Sequence, residues 1–318
     1  MFEIGFFVQQ DNHVTEAVNQ SKGPTFYLEG ASIAEELGYD SFWLPDHWLL
    51  PNDVAVPDCW SVLAAVAATT QKIKLGSLVT PVTAHSPFLL AKRAVTVQMI
   101  AQGRLQFGLG AGWNRQEYVV AGVSFDSHRV RLEKLEETIR FLQLLWNSEN
   151  PIDFRGRHYA GSQALLRPYV EKPPIWLGGS SDKLLECAGK YADGWIPFEL
   201  HRDSIIDRAV HLHSLMDKAG RKASDVVIGH ATRVVAGKTA QEAIEICRRL
   251  GIERNYTATD LSKGVRAHII IGSFEECTVE LANLVDAGVN HMVLSPQPPD
   301  RTHELLVTYK DEMIGKLR

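Results

Sequence analysis

Short β-branched or aromatic runs alternate along this chain with longer stretches in which apolar residues recur every three or four positions. The first pattern is that of a strand and the second that of an amphipathic helix. In chain order the runs predict strands over 2–8, 41–44, 73–80, 105–109, 174–178, 194–197, 226–235 and 289–294. The longer periodicities predict helices near 25–38, 60–70, 87–101, 131–146, 183–191, 204–219, 241–250, 274–287 and 303–317. Ser86-Pro87 opens the third of these with a favourable N-cap and a proline in the first turn. Consecutive parallel strands need such crossovers. Eight strand units, nearly all followed by a helix and with no break in composition, point to a (β/α)8 TIM barrel, an α/β fold spanning 1–318 as one domain. The competing architecture, an open doubly wound sheet, would want a glycine-rich turn after strand one, where this chain has Gln9-Gln10-Asp11-Asn12. Residues 251–267 fit neither periodicity and read as part of a loop insertion between strands seven and eight, overhanging the catalytic face of a barrel.

Composition narrows the function classes. Hydrophobic residues make up 45% of the 318 positions and charged ones 22%, as in a soluble globular protein with room for a sizeable core. A net charge of -5 with no Lys/Arg run gives no pull on nucleic acid. The start, Met1-Phe2-Glu3-Ile4-Gly5-Phe6, enters a strand at once, so a signal peptide is not expected. No apolar stretch is long enough to span a membrane. Cys59, Cys187, Cys247 and Cys277 lie far apart inside helical patterns, which suits buried thiols in a reducing cytoplasm.

In a barrel the chemistry sits at the C-terminal ends of the strands. Those positions hold Pro45-Asp46-His47-Trp48, Ser77-Leu78-Val79-Thr80-Pro81, Gly110-Ala111-Gly112-Trp113, Gly178-Gly179-Ser180-Ser181 and Phe198-Glu199, with Arg233 near the end of strand seven. His47 beside Asp46 offers a group that titrates near neutrality next to a carboxylate, fit for moving a proton or for a structural hydrogen bond. Gly108, Gly110 and Gly112 alternate along strand four and leave bare backbone that a flat ligand can approach, although the spacing is not that of a dinucleotide fingerprint. Gly178 to Ser181 stand between a strand and a helix, as an anion cradle or a plain N-cap would. Trp43, Trp48, Trp113, Trp176, Trp195 and Phe198 gather near strand ends, where several facing one mouth would form an apolar slot for a planar ring. Glu117, Glu199 and His201 show no metal-ligand spacing, so no metal is expected.

Taken in register, Pro45-Asp46-His47-Trp48, Leu75-Gly76-Ser77-Leu78-Val79-Thr80-Pro81, Gly108 to Trp113 with Glu117-Tyr118 and Gly122, Gly178-Gly179-Ser180-Ser181 and Ala192-Asp193-Gly194-Trp195 resemble the bacterial luciferase-like superfamily of TIM-barrel flavin enzymes. Within it they resemble the branch that uses the deazaflavin coenzyme F420. The resemblance spans essentially the whole chain. It implies a non-prolyl cis peptide in a strand-three bulge at Ser77-Leu78, with Ser77, Leu78 and Val79 supporting the flavin. Gly110, Gly112 and Trp113 would line the flavin and its ribityl chain, and Gly178, Gly179, Ser180 and Ser181 would hold its phosphate. His47 would stand at the reacting edge, oriented by Asp46.

Two departures bear on the reading. Sugar-phosphate dehydrogenases of the deazaflavin branch carry a carboxylate where this chain has Trp113. Luciferases proper carry a Glu-His pair where Asp46-His47 stands. Both favour F420 over FMN and leave the substrate open. The expected activity is hydride transfer between F420 and a small, apolar to moderately polar substrate. A monooxygenase fed reduced FMN by a separate flavin reductase is the second reading, and a non-catalytic flavin-binding barrel the third. A cytoplasmic homodimer without nucleic-acid or membrane partners completes the expectation.

Overall fold

The computed structural model describes residues 2–10, 17, 20–49, 56–252 and 269–317. Parallel pairing runs from β1 (Glu3–Phe7) to β2 (Ser41–Leu44) and β3 (Lys74–Ser77), with the two-residue β4 (Thr80–Pro81) resuming where β3 breaks. Both β3 and β4 pair with β5 (Leu105–Gly110). An antiparallel hairpin, β6 (Ile152–Arg155) and β7 (Ala160–Ala164), stands apart before β8 (Ile175–Leu177) and β9 (Gly194–Trp195) continue the barrel. β9 pairs with β10 (Val227–Gly237), and β12 (His291–Pro296) joins β10 to β1, so the sheet closes. This is the expected (β/α)8 TIM barrel.

Three strands, a hairpin pair and β11, have no counterpart among the expected runs. The hairpin alternates exposed and half-buried positions with few apolar residues, so it carries no strand signal. β11 (Ile270–Ser273) pairs with the far end of β10, at Val234 to Gly237, overlapping the barrel-closing part of β10 only at Val234. β10, β11 and the helix over Ala240–Leu250 share a satellite core of Val235, Ala243, Ile246, Leu250 and Ile271. The expected insertion at 251–267 falls, from 253 on, outside the described residues.

The crossovers are α1 (Thr25–Leu37), α2 (Cys59–Thr69), α3 (Pro87–Ile100), α4 (Arg115–Val120), α5 (His128–Trp146), α6 (Asp182–Tyr191), α7 (Arg202–Lys218), α8 (Ala240–Leu250), α9 (Phe274–Asp286) and α10 (Thr302–Glu312). Their ends follow local chemistry: Asp58 accepts from the Ser61 amide to start α2, and Ser273 and Glu276 form a reciprocal capping box on α9. Strand residues alternate between two cores. Phe6 and Phe42 face the helices, while Phe7 and Trp43 fill the barrel with Trp176, Ile196, Ala231 and Val293.

At the N-terminal end of the barrel the interior turns polar. The Trp43 indole donates to Ser41 Oγ (2.9 Å), which lies 2.8 Å from His291 Nε2, and His291 Nδ1 stands 2.9 Å from Glu3 Oε2. The hydrogen bond from His291, with Lys74 adding to it against the opposing effect of burial, holds the Glu3 carboxyl down at about 2. This chain joins β1, β2, β3 and β12 across the seam where the barrel closes. Gly5 is obligatory there, because a Cβ would lie 2.0 Å from Ser41 Oγ.

Candidate active site

The C-terminal end of β2 delivers Asp46-His47-Trp48, and the loop after β5 delivers Trp113 and Asn114. Asn114 ties the two together: its Oδ1 accepts from the Gln116 amide to start α4, and its Nδ2 donates to the Leu49 carbonyl (2.9 Å). In the first turn of α4, the buried Glu117 accepts at one carboxylate oxygen from His47 Nδ1 (3.0 Å), the Trp48 amide (2.9 Å) and the Leu49 amide (3.3 Å). Three donors offset the cost of burying that charge. A carboxylate only accepts, so Nδ1 carries the proton and Nε2 of the neutral imidazole is left as the base. The exposed Trp113 ring meets His47 edge-on, centroids 5.8 Å apart.

The carboxylate bonded to His47 is therefore that of Glu117, not the adjacent Asp46. Asp46 is buried, and its Oδ2 lies 4.0 Å from His85 Nε2. Burial pushes its carboxyl up to about 6; the Thr80 hydroxyl and Trp60 indole lean the other way. Neither of those donors reaches hydrogen-bonding geometry, so Asp46 Oδ2, Thr80 Oγ1, Trp60 Nε1 and His85 Nε2 are all buried without a hydrogen bond. Burial first, and Arg93 second, hold His85 down at about 4. Arg93 donates to its Nδ1 (3.0 Å), which sets Nε2–H toward Asp46. A cavity of about 660 Å³, lined by His85, Phe88, Lys134, Phe141 and Tyr159 among others, opens behind this cluster and not in the barrel mouth.

The expected bulge is present between β3 and β4, and its non-prolyl cis peptide is Leu78-Val79, one residue beyond the expected Ser77-Leu78. The reason lies in the ladder: the Leu78 amide still donates to the Leu44 carbonyl (2.8 Å), so the Ser77-Leu78 peptide remains part of the strand. Ser77 is buried and donates its hydroxyl to the Gly108 carbonyl (2.8 Å), so it supports the bulge from below. Leu78 and Val79 rest half-buried on the apolar filling of the barrel and form a shelf at the mouth.

The glycines prove to be shaped by protein before any ligand. A Cβ on Gly108 would lie 1.8 Å from the Ser77 carbonyl oxygen, and one on Gly110 or Gly178 would strike Val79 at 2.6 or 2.9 Å. Gly112 has φ +74°, and a Cβ there would lie 2.0 Å from the Tyr118 hydroxyl. That hydroxyl bonds Thr83 Oγ1 at 2.6 Å, with Thr83 also reaching the Ala111 carbonyl.

The cradle after β8 is smaller than expected. The Gly178 amide is spent on the Leu109 carbonyl (3.1 Å), and the Gly179 carbonyl accepts from the Trp195 indole (2.7 Å). The amides of Gly179, Ser180 and Ser181 have no acceptor among the described residues, and the Ser181 side chain makes no cap bond to α6. Three amides at a helix N-terminus suit an anion. Asp182 in the first turn is bridged by Arg208, which offsets its charge. Of the strand-end aromatics, Trp43, Trp176 and Trp195 are core, which leaves Trp113, Trp48 and Phe198 at the mouth. Arg233 is gripped by both oxygens of Glu199.

The family model for luciferase-like monooxygenases matches residues 2–291. The chain belongs to that family. Among curated relatives, the F420-dependent glucose-6-phosphate dehydrogenase of Amycolatopsis mediterranei (strain U-32) is 25% identical over 324 residues, covering 93% of this chain and 95% of the relative. An F420-dependent secondary alcohol dehydrogenase, solved with an F420-acetone adduct, superposes with a TM-score of 0.84 at 20% identity over 100% of this chain and 99% of that one. The monooxygenase RslO1 from Streptomyces bottropensis superposes with a TM-score of 0.83 at 18% identity, over 99% and 100% of the two chains. These last two likenesses show the shared fold. Among the described residues no helix is long and apolar enough to cross a membrane.

Proposed function

We propose that this chain is a coenzyme F420-dependent oxidoreductase that interconverts a small alcohol and its carbonyl compound. The observation that carries the reading is the His47–Glu117 pair: a base with one nitrogen fixed by a buried carboxylate and the other available, at the end of a barrel strand beside the Leu78–Val79 shelf. The names of the Amycolatopsis relative and the alcohol dehydrogenase support the cofactor. The uncommitted amides of Gly179, Ser180 and Ser181 suit its phosphate.

Bound on the shelf, F420 would supply the carbon that accepts or returns a hydride. The rest falls to the protein. His47 Nε2 takes the hydroxyl proton as an alcohol is oxidised and returns it in the reverse direction. Glu117 fixes the tautomer and stabilises the imidazolium that forms. Trp113 covers one side of the imidazole and limits water. A homodimer is part of the same proposal, checked by sedimentation.

Titration of the purified protein with oxidised F420, FMN and reduced FMN tests the reading. Saturable F420 binding, with weak or no FMN binding, is expected. Tight FMN or reduced-FMN binding without F420 binding overturns it in favour of the two-component monooxygenase. His47→Ala should keep F420 binding and lose turnover.

A further inference from the structure

The described residues of the mouth show aromatic surface that is left open and charge that is closed. Trp113 is 64% exposed and Phe198 47% exposed. Single exposed apolar residues are ordinary on protein surfaces, but these two adjoin the reacting region. Trp113 sits edge-on to His47. Phe198 follows β9, bridges to Ala231 on β10, and meets Phe7 edge-on with centroids 5.9 Å apart. Phe7 belongs to the same apolar filling that carries Leu78 and Val79. The open aromatic surface thus continues the shelf on one side and borders the imidazole on the other.

The nearby charges face each other. Arg233 and Glu199 form a two-point ion pair in which each side chain is only 12% exposed. A guanidinium held in that fork directs its donors at a carboxylate, and an incoming phosphate would meet the negative charge of Glu199 as well. Glu117 is occupied by its three N–H donors.

We propose that the mouth takes an uncharged alcohol or ketone whose ring-sized apolar body lies against Trp113 and Phe198, with its oxygen at His47 Nε2. This names the substrate class for the F420 reading and rests on it. In oxidation the carbinol C–H bond breaks and its electron pair passes to F420 with the hydrogen. The O–H proton passes to His47, a C=O bond forms, and reduced F420 is the second product. A sugar phosphate is the wrong shape and charge: its hydroxyls would lie against aromatic edges without partners, and its phosphate would confront a cation already paired.

The test starts from protein shown to bind F420, because failure at that step overturns the cofactor reading itself. Turnover of 1-phenylethanol, 2-propanol and glucose 6-phosphate is then followed by loss of the oxidised F420 absorbance. We expect kcat/KM for 1-phenylethanol to exceed that for 2-propanol by about tenfold or more, with no turnover of glucose 6-phosphate. Phe198→Ala should raise KM for 1-phenylethanol about tenfold while kcat stays within about threefold, and Phe198→Leu should fall between. Glu199→Gln removes the charge that answers Arg233, so benzoate should inhibit the variant about tenfold more strongly than the wild type. Turnover of glucose 6-phosphate, equal kcat/KM for the two simple alcohols, absence of turnover with all three, or a Phe198→Ala enzyme with unchanged KM would overturn the proposal.

Discussion

Asp46 gives the most direct test of the site's electrostatics. Its carboxyl moves from an ordinary 3.8 to about 6 because it is buried. That change corresponds to about 3 kcal/mol, at 1.36 kcal/mol per tenfold change in proton affinity. Below pH 3.8 the group is protonated in both folded and unfolded chains and costs nothing. As pH rises from 3.8 through about 6 the unfolded chain ionises first, so stability is lost; above that range the folded protein carries the full cost. Asp46→Asn keeps the shape and removes the titration. Urea unfolding of both proteins, followed by tryptophan fluorescence from pH 4 to pH 7, reads the effect as a difference. Contributions from the nearby Asp58, His47, His85 and Arg93 that are common to both proteins cancel in that difference. The variant should gain on the wild type by about 2 kcal/mol across that range, whatever fixed offset the new amide introduces. A difference that stays flat with pH, or that shrinks, would refute the assignment of a buried, proton-binding Asp46.

Other outcomes follow from the geometry. Glu117→Gln keeps an acceptor for the Trp48 and Leu49 amides but loses the charge behind His47, so steady-state assays should show kcat lower by about 10- to 100-fold in a folded protein. Gly112→Ala should lower the melting temperature clearly, and adding Tyr118→Phe should restore only part of the loss: removing the hydroxyl relieves the 2.0 Å contact, while the tight ring contact at 3.0 Å and the strain of φ +74° remain. Glu3 contributes stability that is complete above pH 4.5 and is lost as pH falls toward about 2. Glu3→Gln should therefore flatten the acid limb of the stability curve and cost about 1 kcal/mol at pH 7, a figure reduced for the partial exposure of the group.

Much of the architecture was legible because a barrel strand and its crossover helix carry different periods. Each of the eight barrel strands lies where alternation or an apolar run placed it. The hairpin escaped because its residues bury too little to imprint a pattern, and β11 because Ile269-Ile270-Ile271 is too short to separate from the helix that follows. His47 was readable from its place at a strand end. Its partner was not: Glu117 lies seventy positions on, in a six-residue helix where a glutamate ordinarily faces water. Adjacency in the chain favoured Asp46, but successive residues at a strand end point to opposite sides. The glycines were found for an incomplete reason, since sequence shows that backbone is bare without showing what presses against it.

The bare backbone against which Val79 of the shelf is pressed bears on how such an enzyme diversifies. Val79 rests on bare main chain at Gly110 of β5 and at Gly178, the residue just after β8, with no side chain between. A side chain can hop to another rotamer, but a strand paired on both sides cannot shift without dragging its neighbours. The height of the shelf is thus a property of the scaffold and not of any replaceable residue. Trp113 and Phe198, by contrast, stand on loops and are exposed among the described residues. On the proposed function, substitutions there would redraw the preferred substrate while the shelf stays in register, so selectivity and chemistry would be separately adjustable.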